Sequence, residues 1–269
     1  MFVRGRALAS RASESSSFGA SVKTMTTLSL HSALAPTGRL RIGINYGNPV
    51  LAKRDPASGA LSGVAVDLAR EFGRRVEMPV ELVAFSSAGK LFEGVKVGAW
   101  DVAFLAIDPG RAEEIDFSPP YVEIEGTYLL PPGSSYASVA DVDQTGVRVG
   151  VSANSAYDLF LSRNLQHAEL VRAPDPNSAF ELILAGKVDV VAGVRQHLVA
   201  HAQKLPHSRV LDSRFMAIQQ AIGIPKGRTE GAIYLREFIE DAKASGFVAQ
   251  AIEKAGVRGV SIPPRASGG

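Results

Sequence analysis

At 269 residues, with 46% hydrophobic and 21% charged residues and a net charge of +2, the chain is long enough for one large α/β domain or two of about 120 residues. No stretch approaches the roughly 18 consecutive apolar residues that cross a bilayer, and its basic residues are interspersed with acidic ones rather than gathered into a nucleic-acid-binding stripe. The lack of cysteine excludes disulfides, thiolate metal sites and cysteine nucleophiles without fixing a compartment.

The first 37 residues differ in kind from the rest. Residues 1–23 are rich in serine and arginine, carry Glu14 as their one acidic residue and show no periodicity, so residues 1–37 are expected to form a disordered extension. A secretory signal needs an apolar core of about 7 to 15 residues, which neither 2–9 nor 25–35 supplies. Ser32-Ala33-Leu34-Ala35 has the small residues of a cleavage site, and an organellar transit peptide is the alternative.

From Leu40 the pattern is regular. LRIGI at 40–44 alternates as a strand, Asn45 to Asn48 forms a turn, and DPASG at 55–59 marks a hairpin-like loop. Residues 66–76 place Val66, Leu68, Ala69, Phe72 and Val76 at helical spacing, with Asp67 read as a capping and structural residue. A strand at 80–85 follows, and Ser86 and Ser87 suit the cap of a helix over 88–97. DVAFLAI at 101–107 is a buried strand stopped by Asp108-Pro109-Gly110. Strands alternating with helices imply a parallel sheet with covering helices.

The pattern then restarts. VRVGV at 147–151, a helix over 157–165, a short strand at 170–172, a helix over 177–185 and a strand at 188–194 repeat the earlier order. Residues 215–224 are extended and apolar, and 229–255 are helical with an interruption at Gly246, packing back on the first unit. The tail, 263–269, has the composition of a frayed end. Arg111 sits just beyond the carboxyl end of a parallel strand, the edge where open α/β sheets bind ligands, and a guanidinium there can grip a carboxylate through two hydrogen bonds.

The segments LRIGINYGNP, GALSGVAVDLAREFGRR, LFEGVKVGAWDVAFLAIDPGR, EEIDFSPPY and GKVDVV, in this order and spacing, resemble the solute-binding proteins of polar amino acid ABC importers. The resemblance covers residues 40–256. It implies a type II periplasmic-binding fold of two α/β lobes, the first from 38–125 and 223–262 and the second from 126–222, joined by hinge strands near 123–130 and 216–222. It also implies a ligand held in the cleft, a membrane permease as partner, a periplasmic location with the cytoplasm left open, no cofactor, and a monomer.

Carried over residue by residue, Arg111 falls on the arginine that grips the ligand carboxylate. Ala106 stands where the family commonly has a hydroxyl, so that donor is missing, and Asp108 brings a negative charge that Arg111 or another cation must offset. Asn154 and Ser155 stand at a helix start whose amides form an anion site. Val194, followed by Arg195, stands eight positions past Gly186, where amino acid binders place the aspartate that holds the ligand ammonium. An ammonium buried without a partner costs several kcal/mol, so the expected ligand is a carboxylate without one, or one oriented differently. Asn45, Tyr46 and Asn48 replace the family's aromatic and acidic residues, and an aromatic wall requires Tyr46 to turn inward.

The rival reading is an enzyme on the same scaffold, a lyase or dehydratase similar to cyclohexadienyl dehydratase, with Glu123 or Glu125 as general acid or base. A sensor domain of a larger receptor is the third. His197 and His201 have a metal-compatible spacing but no evident third ligand, and are expected on a solvated helix face. IPKGRTEG at 224–231 lacks the strand-before, helix-after context of a phosphate loop.

Overall fold

The computed structural model describes residues 27–266. The disorder expected over 1–23 and the last three residues of the tail lie outside the described residues. The first half contains α1 (Thr27–Leu34), β1 (Leu40–Asn45), β2 (Lys53–Arg54), β3 (Leu61–Ser62), α2 (Val64–Arg75), β4 (Val80–Phe85), α3 (Ala88–Glu93), β5 (Val102–Ala106), β6 (Ile115–Phe117) and β7 (Val122–Leu130). The second contains β8 (Arg148–Ser152), α4 (Ala156–Asn164), β9 (Glu169–Ala173), α5 (Pro176–Leu184), β10 (Val190–Val194), α6 (Arg195–Ala202), β11 (Arg209–Val210), β12 (Met216–Pro225), α7 (Thr229–Ala244) and α8 (Phe247–Lys254).

Two parallel units face each other. β1 lies between β4 and β5, and β8 lies between β9 and β10, each pair parallel. The repeat extends to the side chains. Arg41 donates from its backbone N–H and guanidinium to Asp101, and Arg148 does the same to Asp189. In both units an arginine on the first strand thus anchors the aspartate that leads into the third. Central β5 is buried at every position, which explains why its sequence is an unbroken apolar run rather than an alternation.

The units are joined by β7 and β12, which pair antiparallel from Met216 opposite Gly126 to Gln220 opposite Val122. β12 continues along β5 and β6 in the first lobe, whereas β7 continues along β10 and β11 in the second. The sheet order is therefore β4-β1-β5-β12-β7-β10-β8-β9, with the two crossing strands at the centre as hinge connections require. Gly246, at φ 78°, breaks the C-terminal helix into α7 and α8, and these pack against α1 and α2.

Four local readings are corrected. Residues 27–37 do not extend the disorder: α1 packs on α7, Leu34 is fully buried, and His31 Nε2 lies 2.6 Å from Val76 O. α3 stops well short of residue 97 because the chain turns at Gly94, where the Trp100 indole fills the space and Nε1 donates to Leu91 O at 2.8 Å. The start of the tail is held, with Pro264 O accepting from Lys243 Nζ and Ala266 N–H donating to Glu240. Asp67 makes no cap; it pairs with Lys254 of α8 at 2.9 Å.

Candidate functional site

A cavity of about 50 Å³ lies between the lobes, beside the crossing strands. Its walls come from the loop after β1 (Asn45, Gly47, Asn48), the end of β5 (Ala106), Arg111, the start of α4 (Ser155, Ala156, Tyr157), the β10–α6 junction (Val194, His197) and the hinge (Ile218, Gln220). These positions cluster because parallel strands end there and helices begin there, which places orphan backbone donors and short polar side chains around one space.

Arg111 dominates the electrostatics. It opens a short 3-10 turn after β5 and is fully buried. Nη1 donates to Ala106 O at 2.9 Å, Nη2 donates across the cleft to Asn154 O at 2.8 Å, and Nε has no partner among the described residues. Phe92 lies beside it, 5.9 Å from the guanidinium carbon to the ring centre. Burial pushes the pKa down to about 10, opposed by Asp108, so the charge persists at neutral pH. Asp108 gives it no direct pairing: one carboxylate oxygen accepts from Gly110 N–H and the other from Arg163 of the second lobe at 2.7 Å.

The remaining polar groups mostly offer hydrogens. Asn45 Oδ1 accepts from Gly47 N–H and Asn48 Oδ1 from Val50 N–H, so both side chains form their own turns while their amide nitrogens stay uncommitted. Ser155 caps α4 by accepting from Asp158 N–H at 3.1 Å, leaving the Ala156 and Tyr157 amides as the free donors of that helix start. Burial pushes the Tyr157 hydroxyl up to about 12, moderated by hydrogen bonds with Ser155 and Ser152. No aspartate or glutamate lines the cavity. A space enclosed by a buried cation and convergent donors favours an acceptor-rich, negatively charged guest.

The structure brings together Arg111, Ala106, Ser155, Asn45, Asn48 and Val194 from the sequence-predicted set. The others lie elsewhere. Tyr46 turns outward, with the Arg54 guanidinium 5.6 Å from its ring centre, so no aromatic wall forms from it. Asn154 contributes its backbone oxygen to Arg111, and Asp108 serves the ion pair across the cleft. Arg195 points away because Glu125, Leu211 O and Asp212 O accept from it. Glu125 is further paired with Arg214, and Glu123 accepts from Gln219, so neither reaches the cavity wall.

The histidines overturn the expectation of a solvated face. His201 is 3% exposed, stacks on Phe180 with ring centres 4.1 Å apart, and has no hydrogen-bond partner on either ring nitrogen. His197 lines the cavity. Burial first, then His197 and Lys204, push His201 down to about 4. The unfolded chain therefore binds its proton more readily, and stability present above pH 6.5 is lost as pH falls toward 4. His201→Phe is expected to reduce this acid loss by about 5 °C in melting temperature between pH 6.5 and 4.5, read by thermal scans at each pH.

The lobes touch directly at Gly89. A Cβ there would lie 2.7 Å from Ala153 O and 2.9 Å from Asn154 Cβ. Gly89→Ala is expected to keep or raise the melting temperature through helix propensity, worth up to about 1 kcal/mol, while weakening ligand affinity about tenfold by wedging the cleft. Calorimetric titration beside a thermal scan separates the two effects.

A two-lobed α/β fold with a cleft at the hinge is the architecture of a binding protein that closes on a small solute. Residues 40–257 match the bacterial extracellular solute-binding proteins, family 3, and the chain belongs to this family. The glutamine-binding protein of Geobacillus stearothermophilus is 25% identical over 194 residues, covering 70% of this chain and 73% of its own. An amino acid ABC transporter substrate-binding protein, AbpA, from Streptococcus pneumoniae, solved bound to L-arginine, superposes with a TM-score of 0.71 at 22% identity, covering 84% of this chain and 99% of its own. The ancestral amino acid-binding protein AncCDT-1, a precursor of cyclohexadienyl dehydratase, superposes with a TM-score of 0.69 at 20% identity, covering 82% and 96%.

Proposed function

We propose that this solute-binding protein captures a small organic acid that lacks a paired ammonium and delivers it, from outside the cytoplasmic membrane, to the permease of an ABC importer. One observation carries the reading: Arg111 is a fully buried cation whose hydrogen bonds go only to neutral carbonyls, with Asp108 acting on it without direct pairing, in a cavity with no acidic wall. A buried charge is tolerated when an opposite charge compensates it, and leaving it alone costs several kcal/mol. A ligand carboxylate supplies that compensation. An α-ammonium on the same ligand meets Val194, which is 8% exposed and apolar. The glutamine- and arginine-binding relatives support capture of a small carboxylate by this fold; the lining of this cavity argues for a different second group on the ligand.

A thermal-shift screen of carboxylic acids beside their 2-amino counterparts tests the reading. A ligand at 100 times its Kd stabilises the folded state by about 2.7 kcal/mol, which raises the melting temperature of a protein this size by about 5 to 10 °C. Acids are expected to produce the shift. Shifts confined to amino acids contradict the proposal.

A further inference from the structure

His197 is the cavity residue that carboxylate capture by Arg111 does not use. Val194 occupies the N-cap position of α6, and His197 follows it one turn later on the same side, so both reach the cavity. Its ring centre lies 4.3 Å from that of His201, which in turn stacks on Phe180. The row of packed rings fixes the imidazole in place, and neither of its nitrogens has a hydrogen-bond partner among the described residues. The cavity thus has two nitrogen bases or cations, Arg111 and His197, and no acid.

The charged groups around His197 leave that role open to a ligand. Burial first, then Lys204 just beyond its own helix, disfavour its protonation, and Asp175 opposes them. Asp175 is engaged by Ser178 at the start of α5. On the neighbouring strands, Glu125 is held by Arg195 and Arg214, Arg209 donates to Tyr136 O, and β10 carries no charge. No protein carboxylate accepts a hydrogen bond from the imidazole among the described residues; Asp175 acts on it only as a charge at a distance.

We propose that His197 is a specificity-determining contact that receives the second acidic group of the ligand, so that the cavity selects small dicarboxylates held by Arg111 at one end and by the imidazole at the other. The inference rests on carboxylate capture by Arg111 and names the class of acid. A dianion facing a guanidinium and an imidazolium gives a neutral closed site. A carboxylate against the imidazole favours its charged form, so binding is coupled to proton uptake and affinity rises as pH falls from 8 toward 5.5, by at most tenfold per unit.

Calorimetric titration of malonate, succinate and glutarate against propionate, butyrate and valerate, from pH 5.5 to 8, tests this. At least one dicarboxylate is expected to bind tenfold or more tighter than the monocarboxylate of equal carbon number, which has a methyl in place of one acid, and to tighten toward low pH. His197→Ala is expected to bring the dicarboxylate down to the level of its monocarboxylate partner. His197→Gln, which keeps a hydrogen-bond donor but cannot take up a proton, is expected to retain part of the affinity with a flat pH profile. Monocarboxylates binding as tightly, with no pH dependence and no effect of either variant, overturn the role of His197 and leave the Arg111 reading standing. Binding by neither series overturns both.

Discussion

Replacing Arg111 with alanine is expected to abolish the thermal response to every carboxylate and to weaken affinity by at least a hundredfold. The guanidinium is fully buried and is the cation that ties the end of β5 to the start of α4. Charge-assisted hydrogen bonds in a desolvated site are worth about twice neutral ones, and removing one partner of a buried charge pair costs about 3 to 5 kcal/mol, which is about two to three and a half decades in Kd. Arg111→Lys is expected to recover little, because an ammonium has no planar fork to hold Ala106 O, Asn154 O and a ligand carboxylate together. The same change leaves two carbonyls unpaired at the meeting of the lobes, so the variant's melting temperature is measured without ligand as well. A variant that folds and still binds acids normally removes Arg111 from the site.

Val194→Asp is expected to reverse the ligand preference. Val194 is nearly buried, lines the cavity and occupies the N-cap of α6 without any side-chain cap. An aspartate suits that position locally, since its carboxylate can accept from the first-turn amides, a gain of about 1 kcal/mol that offsets part of its burial. Facing the cavity, it supplies the anion that an α-ammonium needs and repels a ligand lacking one. Affinity for L-α-amino acids is expected to rise by about a hundredfold, and affinity for the corresponding deaminated acids to fall by a similar factor. Titration of the variant with one amino acid and its deaminated partner measures both changes. An unchanged preference means that the ligand's second group does not approach Val194.

The repeated architecture was legible because the same physics is written twice. LRIGI and VRVGV are strands of the same pattern, and Asp101 and Asp189 precede the third strand of each unit as partners of Arg41 and Arg148. Arg111 was legible for a related reason: an arginine after a buried strand and a Pro-Gly turn has one edge of the sheet to occupy. The failures share a cause as well. Side-chain direction at helix starts and loops depends on tertiary partners that the local pattern does not contain. Tyr46 is drawn outward by Arg54, and Arg195 by Glu125 and two carbonyls. RQHLVAHA has no clean apolar stripe, so its sequence did not announce that α6 turns His201 inward against Phe180 and His197 toward the cleft. Composition likewise hid α1, whose few apolar residues are effective because Leu34 finds a space beside Gly231.

The cavity wall accounts for why a member of an amino-acid-binding family would take a different guest. Under the proposed reading Arg111 grips the carboxylate, while Ala106 offers no hydroxyl and Val194 no acid at the positions where the family resemblance implies them. In their place stand the uncommitted amides of Asn45 and Asn48, the Gln220 side chain and the His197 imidazole. None of these holds a cation as well as a carboxylate does, and each accommodates oxygen acceptors.

Side-by-side calorimetry of succinate and L-aspartate on the unmodified protein tests the central claim most directly, because the two molecules differ only by the ammonium group. The account predicts that succinate binds at least a hundredfold more tightly. Equal affinity, or a preference for aspartate, contradicts it.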